Sequence, residues 1–158
     1  MGKCTGMHCS MNCQMYLLIM LAVVILSGTE SVEQIHSRSR RSLIDFGNMV
    51  GCTTGRNPLD YLNYGCYCGL GGNGKILDAV DRCCYNHDNC YRQLRKRRLC
   101  TTFALYLTSY DYNCPAKCSS KNKGCSRGLC RCDRQVARCF KRNKYNPKLK
   151  NINKNKIC

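Results

Sequence analysis

The sequence is poor in several features that would favour particular functions. None of its 158 residues is tryptophan, so no tryptophan is available to anchor the protein at a lipid interface. The unbroken apolar run at residues 17–26 has ten residues, which is too short to span a bilayer. Acidic residues number nine against 26 basic ones, so the chain is strongly cationic. The composition therefore argues against a transmembrane protein.

Cysteine, by contrast, is abundant. The chain contains 17 cysteines, a fraction typical of secreted proteins that are stabilised by disulfides. The apolar run has Lys3 upstream and small residues after it, as in a signal peptide. We predict a signal peptide at residues 1–29 and a propeptide at residues 30–41 that ends in Arg40-Arg41. A solvated basic linker is the alternative for the second segment.

Cleavage before Ser42 changes both the cysteine count and the charge. Residues 42–158 keep fourteen cysteines, an even number that permits seven disulfides. They also keep 22 basic residues against seven aspartates, a formal charge of +15. Such a charge attracts anionic lipids, heparin-like glycans or nucleic acid. Charge alone does not choose among these partners, and solubility is an equally simple explanation.

Apolar spacing and turn residues give a coarse fold. A short amphipathic helix is expected directly after Ser42, and longer helices at residues 78–99 and 129–143. Glycine-rich residues 64–74 predict a loop, and residues 101–112 a strand or hairpin. The tail from Lys141 onward is expected to be a basic loop.

The cysteine spacing predicts how the two long helices pack. Cys83 and Cys90 are seven residues apart, as are Cys132 and Cys139. If the helices are antiparallel, Cys83–Cys139 and Cys90–Cys132 disulfides lie on one face, about two turns apart. His87 then lies between the two disulfides. Histidine occurs otherwise only at positions 8 and 36, within the predicted leader.

A carboxylate is expected beside this histidine. Asp133 follows Cys132 directly and should project toward His87, and Tyr91 lies one turn beyond His87 on the same face. A buried carboxylate against an imidazole nitrogen fixes the tautomer that a general base needs.

Three segments together resemble the signatures of secreted phospholipase A2. They are residues 64–72 (YGCYCGLGG), residues 81–91 (DRCCYNHDNCY) and residues 130–133 (CRCD). The similarity extends from Ser42 through Cys139 and onward to Cys158. The cysteine pattern, with Cys52, resembles the pancreatic and elapid-venom type.

The resemblance implies an active site and a cofactor. His87 would activate water for attack on the sn-2 ester of a glycerophospholipid, and Asp133, Tyr91 and Tyr110 would support it. Ca²⁺ would be bound by the carbonyls of Tyr67, Gly69 and Gly71 and by both carboxylate oxygens of Asp88. At the membrane interface and in the substrate slot, the resemblance implies four apolar residues: Leu43, Phe46, Val50 and Leu70.

The resemblance also implies the remaining architecture. The fold would be mainly α and rich in disulfides, with two cross-linked antiparallel helices, an N-terminal amphipathic helix, a calcium loop and a small β-hairpin. The five further disulfides would be Cys52–Cys114, Cys66–Cys158, Cys68–Cys84, Cys100–Cys125 and Cys118–Cys130.

Partners and location follow from charge and resemblance together. We expect an extracellular enzyme that acts on membrane surfaces, prefers anionic lipid, has heparin-like glycans as a further partner, and has neither a specific nucleic-acid partner nor a transmembrane segment.

Two alternatives stay open. The first is a protein on the same scaffold that binds receptors, matrix or membranes without hydrolysis. Relatives without activity lose the carboxylate at the Asp88 position or the histidine beside it, and this chain keeps both. The second is zinc binding by cysteine pairs such as Cys83-Cys84, which adjacent cysteines and an oxidising compartment disfavour.

Overall fold

A computed structural model describes residues 43–158 of the chain. The predicted signal peptide (1–29), the propeptide (30–41) and the cut before Ser42 lie outside these described residues. Within residues 43–158, no helix combines the length and apolar character that crossing a membrane requires.

Two long antiparallel helices form the centre of the fold. Residues 43–54 are helical (α1) and are followed by a 3₁₀ helix, Pro58–Asp60. The long helices are α2, Ala79–Lys96, and α4, Gly124–Arg142. Cys83 of α2 is bonded to Cys139 of α4 and Cys90 to Cys132, so the chain runs in opposite directions in the two helices.

The helix α2 is shorter at its C-terminal end than the sequence pattern predicts. It begins after Asp78, whose side chain accepts a hydrogen bond from the Asp81 N–H at 2.8 Å. It ends at Lys96 rather than Leu99 because Arg98 adopts a left-handed backbone conformation, with φ of 55°.

The helix α4 begins at Gly124, five residues before the predicted start. The Ser126 hydroxyl accepts from the Lys123 N–H at 3.1 Å and donates to the Lys123 carbonyl at 2.9 Å, which caps the first turn. Gly128 packs against α2, where a Cβ would lie 2.6 Å from a methyl carbon of Leu94. Gly128, which argues against a helix in the sequence, is therefore required by close packing.

The prediction of a strand or hairpin at residues 101–112 is wrong for most of its length. It contains a short helix, α3, Ala104–Leu107, which begins where the Thr101 hydroxyl accepts from the Ala104 N–H at 3.1 Å. The hairpin comes later: β1, Tyr112–Asn113, pairs antiparallel with β2, Lys117–Cys118. A helical turn therefore forms here despite the β propensity of its residues, and the Thr101 side chain contributes one hydrogen bond to it.

The basic tail is also more ordered than the loop that we expected. It contains a 3₁₀ helix, Pro147–Leu149, and a helical turn, α5, Lys154–Ile157. Between them the tail pairs with the chain near Tyr64, through a bridge to Lys150 and a 2.9 Å bond from Gly65 N to the Leu149 carbonyl.

All fourteen cysteines of residues 43–158 form disulfides. The pairs are those expected above: Cys52–Cys114, Cys66–Cys158, Cys68–Cys84, Cys83–Cys139, Cys90–Cys132, Cys100–Cys125 and Cys118–Cys130. None of these thiols is therefore available for zinc. The predicted fold class, mainly helical and disulfide-rich with a small hairpin, is confirmed.

The core lies between α1, α2 and α4. It includes Met49, Val80, Leu129 and Ala137, each 0% exposed. Two carboxylates, Asp81 and Asp133, are buried to the same extent. Burying an ionised carboxylate is costly unless it is hydrogen bonded, so each of these aspartates requires partners.

Candidate active site

The structure places His87 against Asp133, as the helix register predicts. His87 Nε2 lies 2.7 Å from Asp133 Oδ1. A carboxylate can only accept hydrogen bonds, so Nε2 carries the hydrogen and Nδ1 keeps the free lone pair of the ring. The His87 side chain is 14% exposed, which leaves the ring accessible to solvent. This arrangement suits proton abstraction by Nδ1.

Two tyrosines complete the hydrogen bonding of Asp133. The Tyr91 hydroxyl donates to Oδ1 at 2.8 Å, and the Tyr110 hydroxyl donates to Oδ2 at 2.5 Å. Burial, followed by the charge of Asp133, raises the pKa of both phenols above the ordinary tyrosine value. Both phenols therefore stay protonated and keep donating, which satisfies the buried carboxylate.

Aromatic contacts fix the imidazole ring. Phe46 of α1 stacks on His87, with centroids 5.1 Å apart and planes 13° from parallel. Tyr91 also packs against the ring, with centroids 4.3 Å apart and planes 52° apart. The His87 ring is thus oriented by packing as well as by Asp133.

Backbone conformation, close packing and one hydrogen bond shape the glycine-rich loop. Gly69 and Gly71 have φ of +130° and +70°, which glycine adopts without strain. A Cβ on Gly72 would lie 2.6 Å from the Tyr67 Cα, so the loop folds tightly back on itself. The Tyr67 hydroxyl closes the loop by donating to the Gly74 carbonyl at 2.7 Å.

Asp81 anchors both ends of this loop, a role that sequence reasoning missed. One carboxylate oxygen accepts from Tyr67 N at 2.7 Å and the other from Leu77 N at 3.0 Å. A Cβ on Gly65 would lie 2.4 Å from the Asp81 Cγ, so this glycine is needed for the approach. The only signal in the sequence is the position of Asp81 in the first turn of a predicted helix. That position is equally compatible with a simple interaction with the helix dipole.

Asp88 is partly buried beside this loop's attachment to α2. The Cys68–Cys84 disulfide joins the loop to α2 one turn before Asp88. Burial raises the pKa of Asp88, against the lowering effect of nearby His87, Arg92 and Lys154. Within residues 43–158, its carboxylate forms no ion pair. Binding of a cation beside such a carboxyl group stabilises its ionised form.

These residues fit a calcium ion. Among the residues described, no three His, Cys, Asp or Glu side chains converge on one point, so a metal bound here needs backbone oxygens. A Cβ on Gly71 would meet no atom within 4 Å, so this part of the loop is open, and Asp88 supplies a hard anionic ligand. Calcium accepts such all-oxygen sites.

The four predicted interface and slot residues divide into two groups. Leu43 and Leu70 are 60% and 89% exposed, so both can contact lipid. Phe46 is half-buried on His87, whereas Val50 is 2% exposed and packs in the core. The structure brings Phe46 directly to the His87 ring and places Val50 deeper along the same helix.

A serine nucleophile can be set aside on structural grounds. Residues 124–128 (GCSRG) match the Gly-x-Ser-x-Gly pattern of serine hydrolases, whose serine lies on a turn between a strand and a helix. Here the pattern falls in the first turn of α4. The Ser126 hydroxyl caps that helix, and the adjacent Cys125 is bonded to Cys100. The motif is therefore structural.

The fold and the site together define a class of protein: small lipolytic hydrolases in which a histidine–aspartate pair lies between two disulfide-linked helices. The family model for phospholipase A2 matches residues 43–150, and the chain belongs to this family.

Relatives from distant animals support the assignment. Phospholipase A2 of Ovis aries is 44% identical over 124 residues, which cover 74% of this chain and 100% of the relative. Phospholipase A2 A2-actitoxin-Cgg2a of Condylactis gigantea is 47% identical over 117 residues, covering 72% and 97%. Basic phospholipase A2 of Micrurus corallinus is 40% identical over 147 residues, covering 89% and 96%. The protein is thus a phospholipase A2, an enzyme that hydrolyses phospholipids.

Proposed function

We propose that this enzyme hydrolyses the sn-2 ester of glycerophospholipids in a calcium-dependent reaction, with His87 as general base. The observation that supports this most directly is the 2.7 Å contact between His87 Nε2 and the fully buried Asp133. It leaves Nδ1 available, one residue from the candidate calcium ligand Asp88. The candidate loop ligands are the carbonyls of Tyr67, Gly69 and Gly71.

The chain's own residues account for the proton transfers. His87 Nδ1 accepts a proton from water as the water oxygen bonds to the ester carbonyl carbon. Asp133 stabilises the resulting imidazolium, and Tyr91 and Tyr110 hold Asp133 in place. His87 then returns the proton to the departing glycerol oxygen as the carbon–oxygen bond breaks. The products are a free fatty acid and a lysophospholipid.

The metal supplies what these side chains lack. When bound, Ca²⁺ would provide positive charge for the carbonyl oxygen as it becomes anionic. The test is release of fatty acid from a phospholipid labelled at the sn-2 chain, with Ca²⁺ and then with excess EGTA. We expect EGTA to abolish release and added Ca²⁺ to restore it. Hydrolysis that is indifferent to chelation would contradict the proposal.

A substitution tests the general base separately. His87→Gln keeps a polar side chain of similar length and should lower kcat by roughly 10²–10⁴-fold. Calcium binding, followed by calorimetry, should remain. If the protein acted only by binding, the wild type and the His87→Gln variant would instead have equal effects on their target membranes or cells.

The charge of residues 42–158 supports a preference for anionic membranes. With +15, binding to phosphatidylglycerol vesicles should exceed binding to phosphatidylcholine vesicles and weaken as salt rises. Equal initial rates on both vesicles at low salt would refute this preference.

Heparin-like glycans are a second proposed partner. The C-terminal end of α2 and the two residues that follow it contain five exposed basic residues: Arg92, Arg95, Lys96, Arg97 and Arg98. Retention on a heparin column should drop when Arg95, Arg97 and Arg98 are replaced by glutamine together. Unchanged elution in salt would exclude this cluster as the binding surface.

We also propose that the enzyme is secreted. Seven disulfides require an oxidising compartment, and the predicted leader supplies a route to it. Amino-terminal sequencing of the protein recovered from culture medium should begin at Ser42. Retention inside cells would contradict this.

A further inference from the structure

Two tetrapeptides of this chain share one pattern of basic residues. Residues 38–41 (RSRR) end the predicted propeptide, and residues 95–98 (RKRR) lie at the C-terminal end of α2. In both, arginine occupies the first, third and fourth positions, and only the second residue differs. The pattern occurs at no other place among the 158 residues. The second copy has no part in the catalytic site described above.

The shared pattern predicts recognition by the same kind of protease. A guanidinium group pairs with a carboxylate through two parallel hydrogen bonds, so protease pockets that carry carboxylates select arginine. Pockets that are spaced to accept the three arginines of residues 38–41 would accept those of residues 95–98 as well. The protease that we expect to cut after Arg41 therefore meets the same side chains at the end of α2.

The second tetrapeptide is accessible in the folded protein. Residues 95–98 are all exposed, and so is the next residue, Leu99, at 46%. Within residues 43–158, none of these four basic side chains takes part in an ion pair. Exposed segments between elements are the preferred sites of proteolytic cleavage.

The backbone at the end of α2 is held by local hydrogen bonds. Arg97 N and Leu99 N each donate to a carbonyl of the preceding turn at 3.0 Å. Arg98 has a φ of 55°, which is unfavourable for a residue with a side chain. A protease binds its substrate in an extended form, so this turn must open before cleavage. Opening relieves the strain at Arg98 and breaks hydrogen bonds of the helix end only, which local unfolding allows.

We propose that residues 95–98 are a second processing site, where an endoprotease of the secretory pathway hydrolyses the peptide bond between Arg98 and Leu99. The oxygen of water bonds to the Arg98 carbonyl carbon, and the carbon–nitrogen bond breaks. Both protons of the water end on the Leu99 nitrogen, which leaves a carboxylate and an ammonium group. The product has two chains, residues 42–98 and 99–158. This inference goes beyond the proposed lipid hydrolysis and rests only on the proposed secretion.

Four disulfides hold the two chains of this product together. Each joins a cysteine before the cut to one after it: Cys52–Cys114, Cys66–Cys158, Cys83–Cys139 and Cys90–Cys132. The last two link α2 to α4 on either side of His87. His87 in the first chain therefore stays against Asp133 in the second, and the catalytic pair is shared between the chains.

The protein that cells secrete tests the proposal directly. The full chain is expressed in cultured animal cells, recovered from the medium and sequenced from its amino termini. We expect two sequences in equal amounts, one that begins at Ser42 and one that begins at Leu99. On a gel the protein should give one band without reductant and two smaller fragments after reduction.

Three variants that each remove one positive charge test the pattern itself. Arg95→Gln and Arg98→Gln each remove a shared arginine, and the yield of the Leu99 terminus should fall at least roughly tenfold, as expected for losing hydrogen bonds between charged groups. Lys96→Gln is the matched control, because its position corresponds to the uncharged Ser39 of the first copy. This variant should be cut as the wild type is. Circular dichroism should be the same in all four proteins, which excludes misfolding as the cause of protection.

The propeptide cut shows whether the protease was present. Secreted protein with the Ser42 terminus alone would overturn the second site, because the protease then accepted one copy of the pattern and rejected the other. Secretion and lipid hydrolysis would remain intact. Protein whose only terminus lies ahead of Ser42 would overturn the pattern as a processing signal at both positions.

The exact position of the cut separates specific processing from general cleavage of a basic segment. Termini at Arg97 and Arg98 as well as Leu99 would overturn the proposal, because a protease that needs only one basic residue produces such a mixture. Equal protection in Lys96→Gln and Arg98→Gln would overturn it too, since total charge and not the three arginines would then determine cleavage.

Discussion

At the scale of single residues, Asp133 shows how a charge is accommodated in the core. It is 0% exposed and accepts hydrogen bonds from one imidazole and two phenols. Removing one donor leaves a buried acceptor only partly satisfied. Tyr110→Phe should therefore destabilise the protein by about 1–3 kcal/mol, as measured by guanidinium unfolding.

The same variant informs on catalysis. In a plot of activity against pH, the alkaline limb should be the same in Tyr110→Phe as in the wild type. The reason is that burial and Asp133 already raise the pKa of this phenol above the ordinary tyrosine value. A shift of the alkaline limb in the variant would show that the phenol titrates during activity.

Asp88 illustrates a conflict between stability and function. Because burial raises its pKa in the folded state, stability falls as the pH rises from the unfolded-state pKa through the folded-state pKa and Asp88 ionises. Without calcium, Asp88→Asn should raise the melting temperature at neutral pH. This advantage should shrink as the pH falls through the folded-state pKa and wild-type Asp88 becomes protonated. Calcium should raise the melting temperature of the wild type only.

Thermal melts at pH 7 and at acid pH, with calcium and with EGTA, measure both effects. A variant that is stabilised by calcium as much as the wild type would exclude Asp88 as a ligand.

At the scale of elements, the glycine-rich loop leaves little room for added side chains. A Cβ on Gly72 would lie 2.6 Å from the Tyr67 Cα, a backbone atom that cannot move without displacing the loop. Gly72→Ala should weaken calcium binding at least tenfold while the helical circular dichroism stays the same. Calcium titration by calorimetry measures this change.

Gly47→Ala is the control for that loop variant. Gly47 is in α1, and its added Cβ would lie 3.6 Å from a Pro58 side-chain carbon, which is ordinary contact. Alanine also favours the helix, so this variant should bind calcium normally and be slightly more stable. Equal calcium affinities in the two variants would contradict the importance of the loop backbone.

At the scale of the whole molecule, disulfides add to the stability that the hydrophobic core provides. Cys90–Cys132 joins residues 42 positions apart, and removing it should cost about 4 kcal/mol of unfolding free energy by chain entropy. Replacing both cysteines by alanine should also lower kcat, because this disulfide sets the spacing of the helices that carry His87 and Asp133.

Cys118–Cys130 provides the comparison. It joins residues 12 positions apart, so its removal should cost about 3 kcal/mol. It links β2 to α4 rather than α2 to α4, and kcat should change less. A larger loss of kcat in this control pair would argue that the helix spacing is not what the Cys90–Cys132 disulfide contributes.

The sequence by itself determined what depends on regular spacing. Once α2 and α4 were taken as antiparallel, the seven-residue intervals between cysteines gave their register, and that register placed His87 between two disulfides with Asp133 nearby. Such inferences succeed because a helix repeats with a constant rise and turn, so positions within it can be computed from residue numbers.

Only the tertiary structure showed which residues far apart in the sequence come into contact. Three features involve segments without a repeating geometry. They are the anchoring of the loop by Asp81, the hydrogen bond from Ala104 N to Thr101 at the start of α3, and the placement of Lys154 near Asp88. Lys154 is 66 positions from Asp88 in the sequence, and no periodicity relates the two. Their proximity arises because the tail pairs with the chain near Tyr64 and is fixed there by Cys158, a constraint that exists only in the folded molecule.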